Sequence, residues 1–195
     1  MNFSFGISSM DHFLEKESDN PEINLIYGPA ASGKTTCCLL ASISVAKKGR
    51  KVIFIDTENG FSIERLKQLS GGNYKKIIDN IFLLKVSSFT NQKKILFELA
   101  NIVKKGKFSL IVIDTLGVHY RKELKENVKK INLELIEQLK ILKYLTICGL
   151  PVIITNPVYS KMDAKGSVES VGGNMVKNFS KVLIELQNPS SGNRK

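Results

Sequence analysis

No stretch of this chain has the length and apolarity of a membrane-spanning helix. The longest uncharged run, Tyr144 to Ser160, contains two prolines and reads as a helix end followed by a buried strand. The opening Met1-Asn-Phe-Ser-Phe-Gly6 lacks the basic start and apolar run of a secretory leader, so a cytoplasmic protein without a membrane partner is expected. Cysteine is scarce: Cys37, Cys38 and Cys148 form no Cys-x-x-Cys pair, which argues against a disulfide framework or a zinc site and for core thiols in a reducing compartment. There is no internal repeat and no low-complexity linker. The 195 residues fit one domain, 1–195.

Acid is outnumbered by base, 18 Asp and Glu against 29 Lys and Arg, for a formal net charge of +11. Such a balance fits nucleic acid, an acidic partner or plain solubility. Part of it has a local explanation. Lys47-Lys48-Gly49 and Lys104-Lys105-Gly106 read as helix C-termini, with lysines at the negative end of the dipole and glycine as the stop.

The feature with chemistry is Gly28-Pro-Ala-Ala-Ser-Gly-Lys-Thr35, the phosphate-loop pattern of Gly, four residues, then Gly-Lys-Thr. Backbone N–H groups can close around phosphates only where side chains leave room, hence the glycines. The expected nucleotide-binding residues are Gly28, Pro29, Ala30, Ala31, Ser32, Gly33, Lys34, Thr35 and Thr36. Lys34 would sit on the β and γ phosphates, and Thr35 would give its hydroxyl to Mg²⁺. An apolar strand, Ile23–Tyr27, precedes the loop and a helix, Thr36–Lys48, comes after it, which is the context the motif requires.

Further strands are expected at Lys51–Ile55, Ile81–Val86, Ser109–Ile113, Val152–Thr155 and Lys181–Gln187. Helices are expected at Ser62–Leu69 and Asn91–Lys105, and a long one is marked by the stripe Leu124, Val128, Ile131, Leu135, Ile136, Leu139, Leu142 and ends near Gly149. Apolar strands alternating with helices predict an α/β fold with a mostly parallel central sheet flanked by helices. Ligands of such sheets bind at the carboxyl ends of the strands. Asp114 ends one strand and would hold the water shell of Mg²⁺. Glu58 comes just after another and would polarise a water. Asn156 ends a third and would sense the terminal phosphate.

These residues resemble the RecA/RadA recombinase family, and most closely its short archaeal branch. The likeness runs over nearly the whole chain, from Phe5-Gly6, Met10-Asp11 and Leu14 before the loop to Val171-Gly-Gly-Asn174. Its most specific part is Phe54-Ile-Asp-Thr-Glu-Asn-Gly-Phe61 with Glu64-Arg65-Leu66. The resemblance implies a RecA-like P-loop ATPase core with ATP and Mg²⁺ as ligands. It gives Glu58 the role of activating water, Arg65 that of packing on adenine, and Leu110–Thr115 that of the Walker B strand. It places the first DNA loop at His119-Tyr120-Arg121 and the second between Asn156 and Val171. Arg121, Lys122, Lys161 and Lys165 would then hold DNA phosphates, and Tyr120 or Tyr159 would stack on a base.

The function that this resemblance implies is that of an accessory protein of homologous recombination and DNA repair. Its implied partners are single-stranded DNA, the main recombinase or other recombination proteins, and further copies of itself. Departures from the family pattern temper this. The phosphate loop begins at residue 28, so a single ATPase domain without an N-terminal DNA-binding domain and with short C-terminal strands is expected. Pro157 stands where the family has Gln, and Asn178 where it has His, so slow hydrolysis poorly coupled to DNA is expected. A nucleotide-binding protein adaptor and a signalling ATPase that never binds DNA are the alternatives.

Overall fold

The computed structural model describes residues 3–17, 20–72, 74–103, 108–125, 127–160 and 168–188. In chain order the elements are α1 (Ser8–Glu17), β1 (Ile23–Gly28), α2 (Lys34–Ala46), β2 (Lys51–Asp56), α3 (Ile63–Ser70), α4 (Tyr74–Ile78), β3 (Ile81–Lys85) and α5 (Phe89–Ile102). They continue with β4 (Phe108–Asp114), α6 (Gly117–Glu123), α7 (Val128–Ile147), β5 (Val152–Ser160), β6 (Val168–Ser170), α8 (Gly173–Phe179) and β7 (Val182–Glu185). The sheet order is β3-β2-β4-β5-β1-β7, all parallel, with β6 added antiparallel to the far end of β5.

Strand alternation divides the apolar residues between two faces. Ile23, Leu25, Ile53, Ile55, Ile111, Ile113, Val152 and Ile154 pack with α5, α7 and α8 through Leu96, Leu99, Leu135, Leu139, Leu142 and Val176. Ile26, Val52, Phe54, Leu110, Val112 and Ile153 pack with Cys38, Leu39 and Ile43 of α2, Leu66 of α3 and Phe3 and Phe5 of the N-terminal segment. Both faces are covered, which is why these strands read as near-continuous apolar runs. Among the described residues no helix is long and apolar enough to cross a membrane.

The expected long helix begins later than its stripe suggests. Asn127 caps α7 by accepting from Lys130 N, so Leu124 falls in the preceding turn and Val128 is 55% exposed. The sequence Gly117–Glu123 is a separate short helix rather than the start of a loop. Cysteines also divide: Cys37 and Cys38 are buried, with burial pushing the Cys37 thiol up to about 11, whereas Cys148 is exposed at the end of α7 and is not a core thiol.

Gly117 opens α6 where β5 and β6 press against it. A Cβ there would meet Val171 Cγ1 at 2.8 Å and Asn156 Oδ1 at 2.9 Å. Gly117→Ala is therefore expected to destabilise the fold by about 1–3 kcal/mol in urea unfolding, the usual range for overpacking. An unchanged midpoint would mean that α6 can move off β6 freely.

Candidate functional site

The strand registers bring the chemistry together. Asp56 of β2 pairs with Asp114 of β4, and Gly28 of β1 with Pro157 of β5 two residues further along, so these positions form a staggered row at one sheet edge. Above that row is a cavity of about 520 Å³ lined by Ala30, Ala31, Ser32, Gly33, Lys34, Thr35, Thr36, Glu58, Arg65, Asp114, Thr115 and Pro157. Of the residues expected to bind nucleotide or metal or to activate water, all but Gly28 and Pro29 line it; those two form the turn beneath. Gly28 is there for a steric reason: a Cβ would meet Leu186 O at 2.3 Å and Ser32 Oγ at 2.9 Å. Gly33 has φ 104° and Ala31 φ 58°, both left-handed, which folds the loop back over the start of α2.

Lys34 Nζ donates to Gly28 O at 2.8 Å and Pro29 O at 2.7 Å, so its ammonium lies across the loop. Burial lowers its pKa, and the carboxylates of Asp114 and Glu58 oppose that shift. Thr35 Oγ1 donates to Asp114 Oδ2 at 2.7 Å, and Thr155 Oγ1 donates a short bond to Asp114 Oδ1. Asp114 is 3% exposed. Burial raises its pKa despite the two hydroxyl donors, with Glu58 and Asp56 adding to the rise.

Glu58 reaches the cavity from the loop after β2, and its Oε2 accepts from Thr115 Oγ1 at 3.1 Å. Its position is set by residues that sequence reasoning passed over. Asp56, buried at the end of β2, accepts from Glu58 N, Gly60 N and Phe61 N at 3.0–3.2 Å. Thr57 Oγ1 donates to Thr115 O and accepts from Thr115 N, both at 2.7 Å. An Asp at a strand end followed by Thr-Glu-Asn-Gly is the signal of an Asx-type turn and was legible; the pairing of Thr57 with Thr115 joins residues 58 apart and was not. Arg65 is exposed on α3, with Nη1 donating to Gln68 Oε1 at 3.0 Å.

Asn156 does not face the cavity. Its Oδ1 accepts from Gly117 N at 2.8 Å, and its Nδ2 donates to Val171 O at 2.9 Å and Ser170 Oγ at 3.3 Å. The amide ties α6 to β6 and leaves the phosphate-sensing expectation without a donor. Asn178 is exposed on α8, away from the cavity lining. Tyr120 is 4% exposed, with its ring beside Phe89 and its hydroxyl donating to Asn132 Oδ1 at 2.7 Å. It is a core residue, which corrects its expected role as a base-stacking platform. Arg121 and Lys122 are exposed near the end of α6, and Tyr159 is 41% exposed on β5. Lys161 and Lys165 lie outside the described residues.

Comparison with known proteins gives the chain's family. A family model described as Rad51 matches residues 1–195. A relative named "DNA repair and recombination protein RadB" from Methanobrevibacter smithii is 33% identical over 193 residues, covering 96% of this chain and 82% of that protein. Relatives of the same name from Methanothermobacter thermautotrophicus and Methanocaldococcus jannaschii are 36% and 37% identical, over 92% and 85% of this chain and 79% and 77% of their own lengths.

The raised pKa of Asp114 carries a sign for stability. The folded state holds the proton more tightly than the unfolded one, whose pKa is about 3.9. The favourable contribution is full below that value and is lost as pH rises through the folded pKa, so at neutral pH the buried charge works against folding. Asp114→Asn is expected to raise the melting temperature of the free protein at pH 7 by up to about 4 °C, the shift that ~1 kcal/mol produces in a chain of this size. A lower melting temperature would show that the bonds from Thr35 and Thr155 outweigh the burial.

Proposed function

The chain belongs to the Rad51 family and within it resembles the archaeal RadB proteins; from that premise we propose that it binds ATP with Mg²⁺ at the cavity above β1, β2 and β4 and acts as an accessory protein of homologous recombination and DNA repair, contacting DNA, the main recombinase or both. The observation that carries the nucleotide reading is the Thr35–Asp114 pair, 2.7 Å apart, on the same cavity wall as the Lys34 ammonium. A hydroxyl and a carboxylate at that spacing suit a hydrated Mg²⁺. Among the described residues no cluster of three His, Cys, Asp or Glu would hold a metal alone. Phosphate oxygens and waters would therefore supply most of the ligands, as Mg²⁺ prefers. The Ser32 hydroxyl is buried in the cavity wall and has no hydrogen-bond partner among the described residues, a polar group that a phosphate oxygen or a water would satisfy.

Each residue then has a task. Gly28 and Gly33 shape the loop, Lys34 neutralises phosphate charge, Thr35 and Asp114 orient the metal's water shell, and Glu58, held by Thr115, positions the attacking water. Bound Mg²⁺ would supply charge neutralisation at the transferring phosphate. The fourth-strand wall offers little help: Thr155 is committed to Asp114, Asn156 to α6 and β6, and Pro157 has no N–H. Slow hydrolysis, weakly linked to the β5–β6 hairpin, is the consequence of that wall. It also favours a second reading, a protein adaptor in which nucleotide is a structural ligand without a catalytic cycle.

Lys34→Ala is expected to weaken ATP–Mg²⁺ binding by at least about tenfold in calorimetric titration, as removal of a charged hydrogen bond to phosphate does. Glu58→Gln should leave affinity within about twofold while lowering kcat by about 10²- to 10⁴-fold. Turnover surviving in Glu58→Gln would show that another group positions the water; tight binding without any turnover in the parent chain would support the adaptor.

Binding of a labelled single strand across a salt series tests the DNA contact. If Arg121, Lys122 and their neighbours hold phosphates, log K should fall by about 0.7 per contact for each tenfold rise in salt. No binding with or without ATP–Mg²⁺ would remove DNA from the reading and leave the protein partner.

A further inference from the structure

The short segment after β7 runs beside the end of β1 and the phosphate loop, with two hydrogen bonds and one close approach. Leu186 N donates to Tyr27 O at 2.8 Å. The Leu186 carbonyl oxygen lies so close to Gly28 that no side chain fits between them. Asn188 Nδ2 then donates to Ala30 O at 3.0 Å. None of these strap residues lines the cavity itself.

The last contact falls on a demanding peptide. Ala31 has φ 58°, a left-handed conformation disfavoured for a residue with a Cβ, and is one of two such non-glycine residues among those described. In a trans peptide the C=O of one residue and the N–H of the next point in opposite directions. Holding the Ala30 carbonyl toward the strap therefore aims the Ala31 N–H away from it, within a peptide whose two residues both line the cavity.

We propose that Asn188 is a positioning residue for phosphate binding: its amide fixes the Ala30–Ala31 peptide so that the Ala31 N–H is presented to a phosphate oxygen. This rests on the nucleotide reading of the cavity. It makes the strap after β7 part of the binding machinery without any contact to the ligand. A preset N–H costs a ligand no reordering of the loop, so part of what the bond contributes appears in affinity for phosphate.

The test is titration of ADP and ATP with Mg²⁺ into the full chain and into Asn188→Ala, each with and without Ala31→Gly, alongside Lys34→Ala. Asn188→Ala should weaken both nucleotides by up to about tenfold, the upper range for loss of one neutral hydrogen bond, with the nucleotide-free melting temperature lowered by no more than about 4 °C. Glycine at position 31 adopts the left-handed turn unaided. The same Asn188→Ala change should therefore weaken binding less than about twofold relative to Ala31→Gly alone. Unchanged affinity in Asn188→Ala, or an equal loss in both backgrounds, overturns the positioning role while leaving nucleotide binding in place. A parent chain that binds neither nucleotide removes the nucleotide reading and this inference together.

Discussion

The site depends on parallel strand register. β1 pairs with β5, β5 with β4, and β4 with β2, all parallel, so the residues that follow β1, β2 and β4 emerge at one edge of the sheet. Side-chain packing holds that alignment, because slipping a strand by one residue would exchange the side chains that fit the helices on its two faces. Both faces here are buried under helices, so a slip is penalised on each. The consequence is that Asp56 and Asp114, which are far apart in sequence, arrive side by side, with the Gly28–Pro157 pair two residues further along the same edge. The chemistry is a by-product of how the core is packed.

On that edge the chain accepts unfavourable electrostatics. Asp114 and Asp56 are both nearly inaccessible and adjacent in register, and burial with the charges of Glu58 and Asp56 disfavours the ionised form of Asp114. Lys34 loses hydration in the same region. Hydrogen bonds offset part of this: backbone N–H groups of the 58–61 turn satisfy Asp56, and the hydroxyls of Thr35 and Thr155 satisfy Asp114. A fold selected for stability alone would place neutral residues at such positions. Clustered, partly compensated charge beside a glycine-shaped loop is instead what a polyanion and its cation need, and it agrees with the proposed ligand.

Much of this was legible in the sequence because local physics wrote it there. The phosphate loop, the alternating apolar strands and the acidic residues at Glu58 and Asp114 come from spacing that the eye can count. Helix boundaries were less legible. The stripe from Leu124 through Leu142 has helical period throughout, yet the Asn127 side chain caps the backbone and starts the helix beyond Leu124, at Val128. Tyr120 failed for another reason: a tyrosine beside Arg121 looks the same whether its ring faces solvent or packs on Phe89. Burial is a property of the assembled fold, and so is the use of Asn156, whose partners at Gly117 and Val171 are 39 and 15 residues away.

Pro157 shows how one residue reconciles the fold with the proposed weak coupling. It is the last position at which β5 is in register with β1, opposite Gly28. Beyond it β5 changes partner, and Val158, Tyr159 and Ser160 pair antiparallel with β6. A proline inside a central strand would break the ladder, but this one sits at the changeover between partners, and its carbonyl accepts from Val171 N at 3.1 Å. The fold therefore tolerates the ring without strain on the sheet. The same ring lines the cavity, where it presents carbon to any phosphate. A donor at that point would connect the ligand to the β5–β6 hairpin through a single residue. With proline there, the hairpin is anchored instead by Asn156 to α6, so the surface carrying Arg121 and Lys122 is linked to β6 through the fold and not through the ligand.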